Sequence, residues 1–316
     1  MRALVTGGAG FIGSNVCRRL LEDGWSVTVL DNLMSGYRHN LDGLDGLRFV
    51  EGDVRDPSAV ADAIEGCGTV FHLAASVGNK RSVDDPIADA EINVLGTIRV
   101  LEASRGADVG KVVISSSAAI FGEPRTLPIA EDHATDPDSP YGVSKLAAEK
   151  IGLAYARLHG IEVICLRYFN VYGPNQRFDA YGNVIPIFVF RILAGDPITI
   201  FGDGDQTRDF VNVRDVVQAN LKAAAAGGVC GAFNTGSGTR MSINDLVATL
   251  GTVMPERIEV VHGEPRPFDV RDSLADIGAA ARAFGYRPDV AMAEGLRDYT
   301  AWARTEHAAA PPPAGR

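Results

Sequence analysis

Tyr141 and Lys145 stand four residues apart, and an α-helix places such a pair on one face, one turn apart. Ser139-Pro140 just before them supplies a capping hydroxyl and a proline suited to the first helical position, so the pair belongs to that helix's first turns. A phenol titrates at about 10 and is a poor base at neutral pH. An ammonium one turn away favours phenolate and lowers that value. Taken alone, the pair also fits a solvated helix face. Upstream, Ser115-Ser116-Ser117 follows the apolar run Val112-Val113-Ile114. A hydroxyl there would hydrogen-bond the same substrate oxygen as the phenol, although three serines also make an ordinary polar loop.

The start of the chain indicates what such a base would serve. Ala3-Leu4-Val5 reads as a short buried strand, and Ile12, Val16, Leu20 and Leu21 then recur at helical spacing. Between them lie Gly7, Gly10 and Gly13, at intervals of three. A tight turn needs positive φ, and a pyrophosphate close to the backbone leaves no room for a Cβ. The following helix offers unpaired N–H groups and the positive end of its dipole. A glycine triplet alone marks only a turn. Here a second apolar run, Val27-Thr28-Val29-Leu30, ends in Asp31, at about the 20-residue spacing expected of an acid that holds an adenosine ribose. A carboxylate there accepts both ribose hydroxyls and repels a 2′-phosphate, which selects NAD over NADP. The positive nicotinamide ring would then join Lys145 in favouring the Tyr141 phenolate.

The chain has 316 residues, 46% hydrophobic and 22% charged, as expected for a globular enzyme with one large and one smaller unit. A net charge of −10 speaks against a nucleic-acid partner. No apolar run is long enough to span a bilayer, and the first residues already read as strand, leaving no room for a signal peptide. Cys17, Cys67, Cys165 and Cys230 are far apart and match no metal spacing. Reduced thiols and a cytoplasmic location are expected, with no membrane partner.

The elements that must carry these groups alternate. Strands are predicted at 47–50, 69–73, 111–115 and 162–167, with helices at 57–64, 85–104 and 141–159. This rhythm gives an α/β fold of Rossmann type, a doubly wound parallel sheet with right-handed crossovers. Its ligands sit beyond the carboxyl ends of the strands, where Asp31, Asp53, Ala74, Ser117 and Asn170 fall. After Asn170, glycines and prolines break the pattern. A helix at 215–225 and a strand at 232–234 read as a return to the sheet; a helix at 243–253 and a strand at 258–261 read as an appended lobe. The expected division is a cofactor domain of 1–169 plus 210–239, a smaller α/β substrate lobe of 170–209 plus 240–306, and a disordered Ala/Pro-rich tail at 307–316.

With these motifs in order, the sequence resembles the extended short-chain dehydrogenase/reductases, and among them the NAD-dependent nucleotide-sugar epimerases of the UDP-glucose 4-epimerase type. The resemblance runs over nearly the whole chain, through 6–13, Asp53-Val54, His72-Leu73-Ala74-Ala75, 115–122, 141–145, 167–174, 202–210 and 265–269. It implies that Ser117 holds a sugar hydroxyl, Tyr141 is the base, and Lys145 anchors the nicotinamide ribose. It also implies adenine contacts from Asp53 and Val54, and a cofactor groove completed by Phe11, Ile12, Asn32, Leu73, Ala74, Ala75, Asn93, Ser115 and Tyr168. On the substrate side it implies Asn170 near the phosphates, Arg208 and Arg266 as a diphosphate clamp, and Asp269 on the uridine ribose. Asn183 and Phe201 match positions that hold the nucleotide backbone and uracil, with Val77 and Val184 lining the pocket. A surface ion pair is the alternative reading of each of the two arginines, since bonds to phosphate and to a neighbouring aspartate look alike in sequence. A homodimer through helices around 85–104 and 141–159 is implied as well.

Related dehydratases carry Asp-Glu directly after the catalytic Ser/Thr, and related decarboxylases carry Glu at the second of those positions. Here the pair is Ala118-Ala119, and methyl groups cannot act as acid or base. The resemblance therefore implies C4 epimerisation of a UDP-sugar through a 4-keto intermediate, with UDP-glucose/UDP-galactose first. UDP-glucuronate follows, with Arg177 on the C6 carboxylate or simply in solvent, and then UDP-N-acetylhexosamines. Phe121, where Tyr is common, and Phe268, where Gly is usual, depart from the pattern. A non-catalytic NAD-binding regulator would share the glycine loop and Asp31, but has no use for Ser117, Tyr141 and Lys145 together.

Overall fold

Runs such as Val27–Leu30 and Val112–Ile114 are apolar on both faces, the pattern of strands covered on both sides. The computed structural model describes residues 1–178, 182–265 and 270–309. Its first half runs β1 (Arg2–Thr6), α1 (Phe11–Glu22), β2 (Ser26–Asp31), β3 (Leu47–Glu51), α2 (Pro57–Ile64) and β4 (Thr69–His72). It continues through α3 (Asn79–Asp84), α4 (Pro86–Ala90), α5 (Thr97–Gly106), β5 (Lys111–Ser117), α6 (Pro140–His159) and β6 (Glu162–Tyr168). The second half holds β7 (Asn170–Tyr172), α7 (Val184–Ala194), β8 (Ile198–Phe201), β9 (Thr207–Arg208), β10 (Phe210–Asn212), α8 (Val213–Ala225) and β11 (Gly231–Thr235). It ends with β12 (Met241–Ser242), α9 (Ile243–Val253), β13 (Val260–Gly263), α10 (Gly278–Phe284) and α11 (Met292–Ala309).

Seven parallel strands form the central sheet in the order β11-β6-β5-β4-β1-β2-β3, so their carboxyl ends share one edge. On one face α1 and α8 pack Val16, Leu20, Val216 and Ala219 against Val5, Val29 and Val113. On the other, α2, α5 and α6 bring Val60, Ile64, Val100, Leu101 and Ile151 against Leu4, Val70, Val112 and Val163. A further hydrophobic cluster joins α7, β8, α9 and α11 through Phe188, Ile192, Ile200, Leu246, Leu250, Leu296 and Tyr299.

The helix expected at 85–104 is present as an unbroken helical run from Pro86 to Gly106, with a π-helical stretch over Glu91–Gly96 between α4 and α5 and with α3 in front. Asn93 inside that stretch binds Ser76 and Ser144 outside it. At the C-terminus, residues 307–309 continue α11 rather than starting a disordered tail, and 310–316 lie outside the described residues.

Candidate active site

The glycine loop closes as its spacing requires. Gly7 has φ +70°, and a Cβ on it would lie 2.7 Å from the Ala74 nitrogen. A Cβ on Gly13 would meet the Gly7 carbonyl oxygen at 2.1 Å. Gly10 precedes α1 with no side-chain cap, so the first N–H groups of that helix, from Phe11 and Ile12 onward, stay available to an anion. This bare cradle fits a dinucleotide pyrophosphate.

Asp31 ends β2 and is 7% exposed. Its Oδ2 accepts from Ala9 N–H at 2.9 Å and its Oδ1 from Leu33 N–H at 2.8 Å. Burial raises its pKa while those two N–H groups pull it down. Asp53 receives Arg55 on both oxygens and Asn32 Nδ2 at 2.7 Å, and the Arg55 hydrogen bond leads in holding its pKa down at about 2. Neighbouring Val54 is buried under Gly96. Leu73, Ala74 and Ala75 follow β4; Leu73 N–H bonds the Thr6 carbonyl, and Ala74 N–H bonds Thr6 Oγ1 at 3.2 Å. Val77, farther on, is exposed.

The predicted reaction residues meet at the sheet's carboxyl edge. Ser117 is the last residue of β5, and its hydroxyl stands near enough to the Tyr141 phenol to favour phenolate. Lys145 Nζ donates to Ser115 carbonyl oxygen at 2.7 Å and to Ser115 Oγ at 3.1 Å. The helix that carries Tyr141 and Lys145 starts as expected: Ser139 Oγ accepts from Gly142 N–H at 3.2 Å with Pro140 next. The electrostatics correct the expectation of a lowered phenol pKa. Burial pushes Tyr141 up to about 12 and Lys145 down to about 8. The neighbouring Ser117 hydroxyl pulls the phenol the other way, and the negative charge of Asp89 raises both groups. With the protein alone, the phenol therefore keeps its proton.

Asp89 has no signal in the sequence, where an acid on a short helix reads as solvated. It is 1% exposed; Oδ1 accepts from Asn93 Nδ2 at 3.0 Å, and Oδ2 finds no partner among the described residues. Asn93 lies at the hub. Its Oδ1 accepts from Ser76 N–H at 2.9 Å, and its Nδ2 also donates to the Ser76 carbonyl and to Ser144 Oγ, each at 3.0 Å. Behind Ser117, Glu149 accepts from Ser116 Oγ at 2.8 Å and from Arg167 at 2.9 and 2.7 Å, locking β5, β6 and α6 together. His72, pushed down to about 3 by burial, is a neutral joint between Thr6 and Thr97.

On the substrate side the structure brings together less. Asn170 opens β7 beside β10; Asn183 precedes α7 without capping it through its side chain, and Val184 starts that helix. Phe201 ends β8, and Arg208 ends β9 with Nη1 donating to the Thr207 carbonyl at 2.8 Å. Arg266, Phe268 and Asp269 lie outside the described residues. Next to Arg208, Asp209 is fully buried and ties Ser237, Gly238 and Ala275 to the β9–β10 junction, an anchor that sequence reasoning missed. Tyr168 gives its hydroxyl to Asn220 on α8, at 3.0 Å. Arg177 is corrected outright: it neither stands in solvent nor waits for a carboxylate, because Glu306 takes its guanidinium at 2.8 Å and Asn40 at 2.9 Å.

A family model for the NAD dependent epimerase/dehydratase family matches residues 3–236. The chain belongs to the NAD-dependent epimerase/dehydratase family. This family member is 41% identical to a UDP-glucose 4-epimerase of Mycolicibacterium smegmatis, over 94% of this chain and 96% of that one. It superposes with a TM-score of 0.92 on the crystal structure of UDP-glucose 4-epimerase with UDP-glucose from Thermotoga maritima, at 39% identity over 97% and 99% of the two chains. A Thermus thermophilus UDP-glucose 4-epimerase complex with NAD matches with a TM-score of 0.87 and 38% identity, over 96% and 99%.

Proposed function

We propose that this chain is an NAD-dependent UDP-sugar 4-epimerase acting first on UDP-glucose and UDP-galactose. The observation that carries the reading is the meeting of Ser117, at the end of β5, with the buried Tyr141 and Lys145 at the carboxyl edge, followed by Ala118-Ala119. NAD, when bound, supplies a hydride acceptor and donor for the sugar C4 and a positive ring that favours phenolate. Gly7, Gly10, Gly13, Phe11, Ile12 and Asp31 would hold it, with Asn32, Asp53 and Val54 at the adenine end. Tyr141 takes the proton of the C4 hydroxyl and later returns it, while Ser117 orients that oxygen. Lys145, directed by Ser115, keeps a positive charge near the phenol. Arg208, with Arg266 and Asp269, would grip the diphosphate and uridine, leaving the 4-keto sugar free to present its other face. Alanines at 118 and 119 offer no group to eliminate water or to assist loss of carbon dioxide.

Residues 1–169 with 210–239 form the cofactor half in this reading, and 170–209 with 240–306 the sugar half. Ile87 and Val143 are 72% and 54% exposed on α4 and α6, and we assign that apolar face to a homodimer contact. Cys17, Cys67 and Cys165 are buried free thiols, which suits a reducing cytoplasm. Tyr141→Phe should abolish interconversion of UDP-glucose and UDP-galactose, measured by chromatographic separation of the epimers, with bound NAD retained. Turnover within about tenfold of wild type would exclude the phenol as base. A panel including UDP-glucuronate and UDP-N-acetylhexosamines ranks the substrates.

A further inference from the structure

Ala9, in the middle of the glycine loop, is gripped at both of its backbone polar groups. Its N–H donates to Asp31 Oδ2 at 2.9 Å. Its carbonyl accepts from Tyr37 N–H at 2.9 Å and from Asn40 Nδ2 at 2.8 Å. Arg177 bears on both of the latter residues. Its guanidinium carbon lies 4.1 Å from the Tyr37 ring centroid, and Nη1 donates to Asn40 Oδ1 at 2.9 Å. Nε and Nη2 are held by Glu306 Oε2 on α11, both at 2.8 Å, and Nη2 also meets His39 Nε2. Trp302, one turn before Glu306, stands 5.6 Å from the same guanidinium.

The segment that carries Arg177 is fastened to α1 as well. Asn175 Nδ2 donates to Ser14 Oγ at 2.9 Å, and Asn15 Nδ2 donates to the Pro174 carbonyl at 3.0 Å. Tyr299 of α11 donates its hydroxyl to the Gln176 carbonyl at 2.8 Å. A helix near the end of the chain is thus joined to the loop at its beginning, with Arg177 at the centre of the contact. Arginine suits the place chemically. A planar fork can stack on Tyr37 while it donates to Asn40 and Glu306, whereas a lysine ammonium offers one point charge and no stacking plane.

We propose that Arg177 and Glu306 are positioning residues for the cofactor: α11 braces the glycine loop through Arg177, Asn40 and Ala9, and thereby slows release of NAD. The inference rests on the assignment of NAD to that loop. Asp31 and the start of α1, the two groups given to the nucleotide, meet at Ala9, so holding Ala9 holds both in their binding arrangement. A pre-ordered site loses ligand more slowly than one that must be ordered by it.

The test is the rate at which purified protein, loaded with NAD and desalted, loses the nucleotide into a chase of excess NADH, followed by the fluorescence of bound NADH. Arg177→Ala should release NAD at least about tenfold faster than wild type, and Arg177→Lys should recover little of the difference. Glu306→Gln, which removes charge but keeps shape, should also quicken release while kcat at saturating NAD is unchanged. Release within about twofold of wild type in folded Arg177→Ala and Glu306→Gln overturns the brace, even if their melting temperatures fall. Should Arg177→Ala not fold, Glu306→Gln decides. A wild-type chain that binds no NAD would instead overturn the assignment of the loop, a separate outcome.

Discussion

Tyr141 and Lys145 are pushed away from their working protonation states by burial, to about 12 and about 8. The buried Asp89 carboxylate acts on both, opposing phenolate and supporting ammonium. Asp89→Asn keeps an oxygen for Asn93 and removes the charge. The phenol then ionises more easily and the ammonium loses its proton more easily. Both limbs of the kcat–pH profile should move to lower pH, on the order of half a unit to one unit. Limbs that stay in place would make Asp89 a packing residue. Tyr141 and Lys145 were legible as a pair from their helical spacing, whereas the roles given to Ser117, Tyr141 and Lys145 came from the family resemblance. Asp89 was not legible, since only tertiary packing removes it from water. Arg177 was misread for a related reason: a guanidinium serves a ligand carboxylate and Glu306 by the same chemistry, and the chain separation of the pair hides the choice.

Among the elements, β1, β2 and β4 to β6 were foreseeable because each carries a short apolar run between turn signals, the pattern of strands covered on both sides, whereas β3 at the sheet edge is half exposed. The helix over 86–106 was foreseeable as well, but its π-helical stretch and the side-chain hub it holds were not. Asn93 satisfies both backbone groups of Ser76 and reaches Asp89 and Ser144, and an ordinary helical register gives no hint of that hub. Asn93→Ala should cost about 2–4 kcal/mol in urea unfolding, since it strands buried donors and acceptors. A loss below about 0.5 kcal/mol would show the π-turn held by something else. The helix α7 was missed for a different cause: Val184–Ala194 is apolar on nearly every side, so no amphipathic period marks it.

For the molecule as a whole, the face bearing Ile87 and Val143 makes a direct prediction. Ile87→Glu combined with Val143→Glu should turn a dimer into a monomer in sedimentation at micromolar concentration, and an unchanged sedimentation coefficient would remove that face from the interface. The sheet order carries another consequence. β11, residues Gly231–Thr235, covers β6, but β7 to α8 intervene in the sequence. During synthesis, therefore, six strands can assemble while the hydrogen-bonding side of β6 is bare, and its cover leaves the ribosome only after residue 231. A nascent chain halted near residue 170 exposes a sticky ribbon to its neighbours on the polysome, and a fragment ending there should self-associate where one reaching 239 does not.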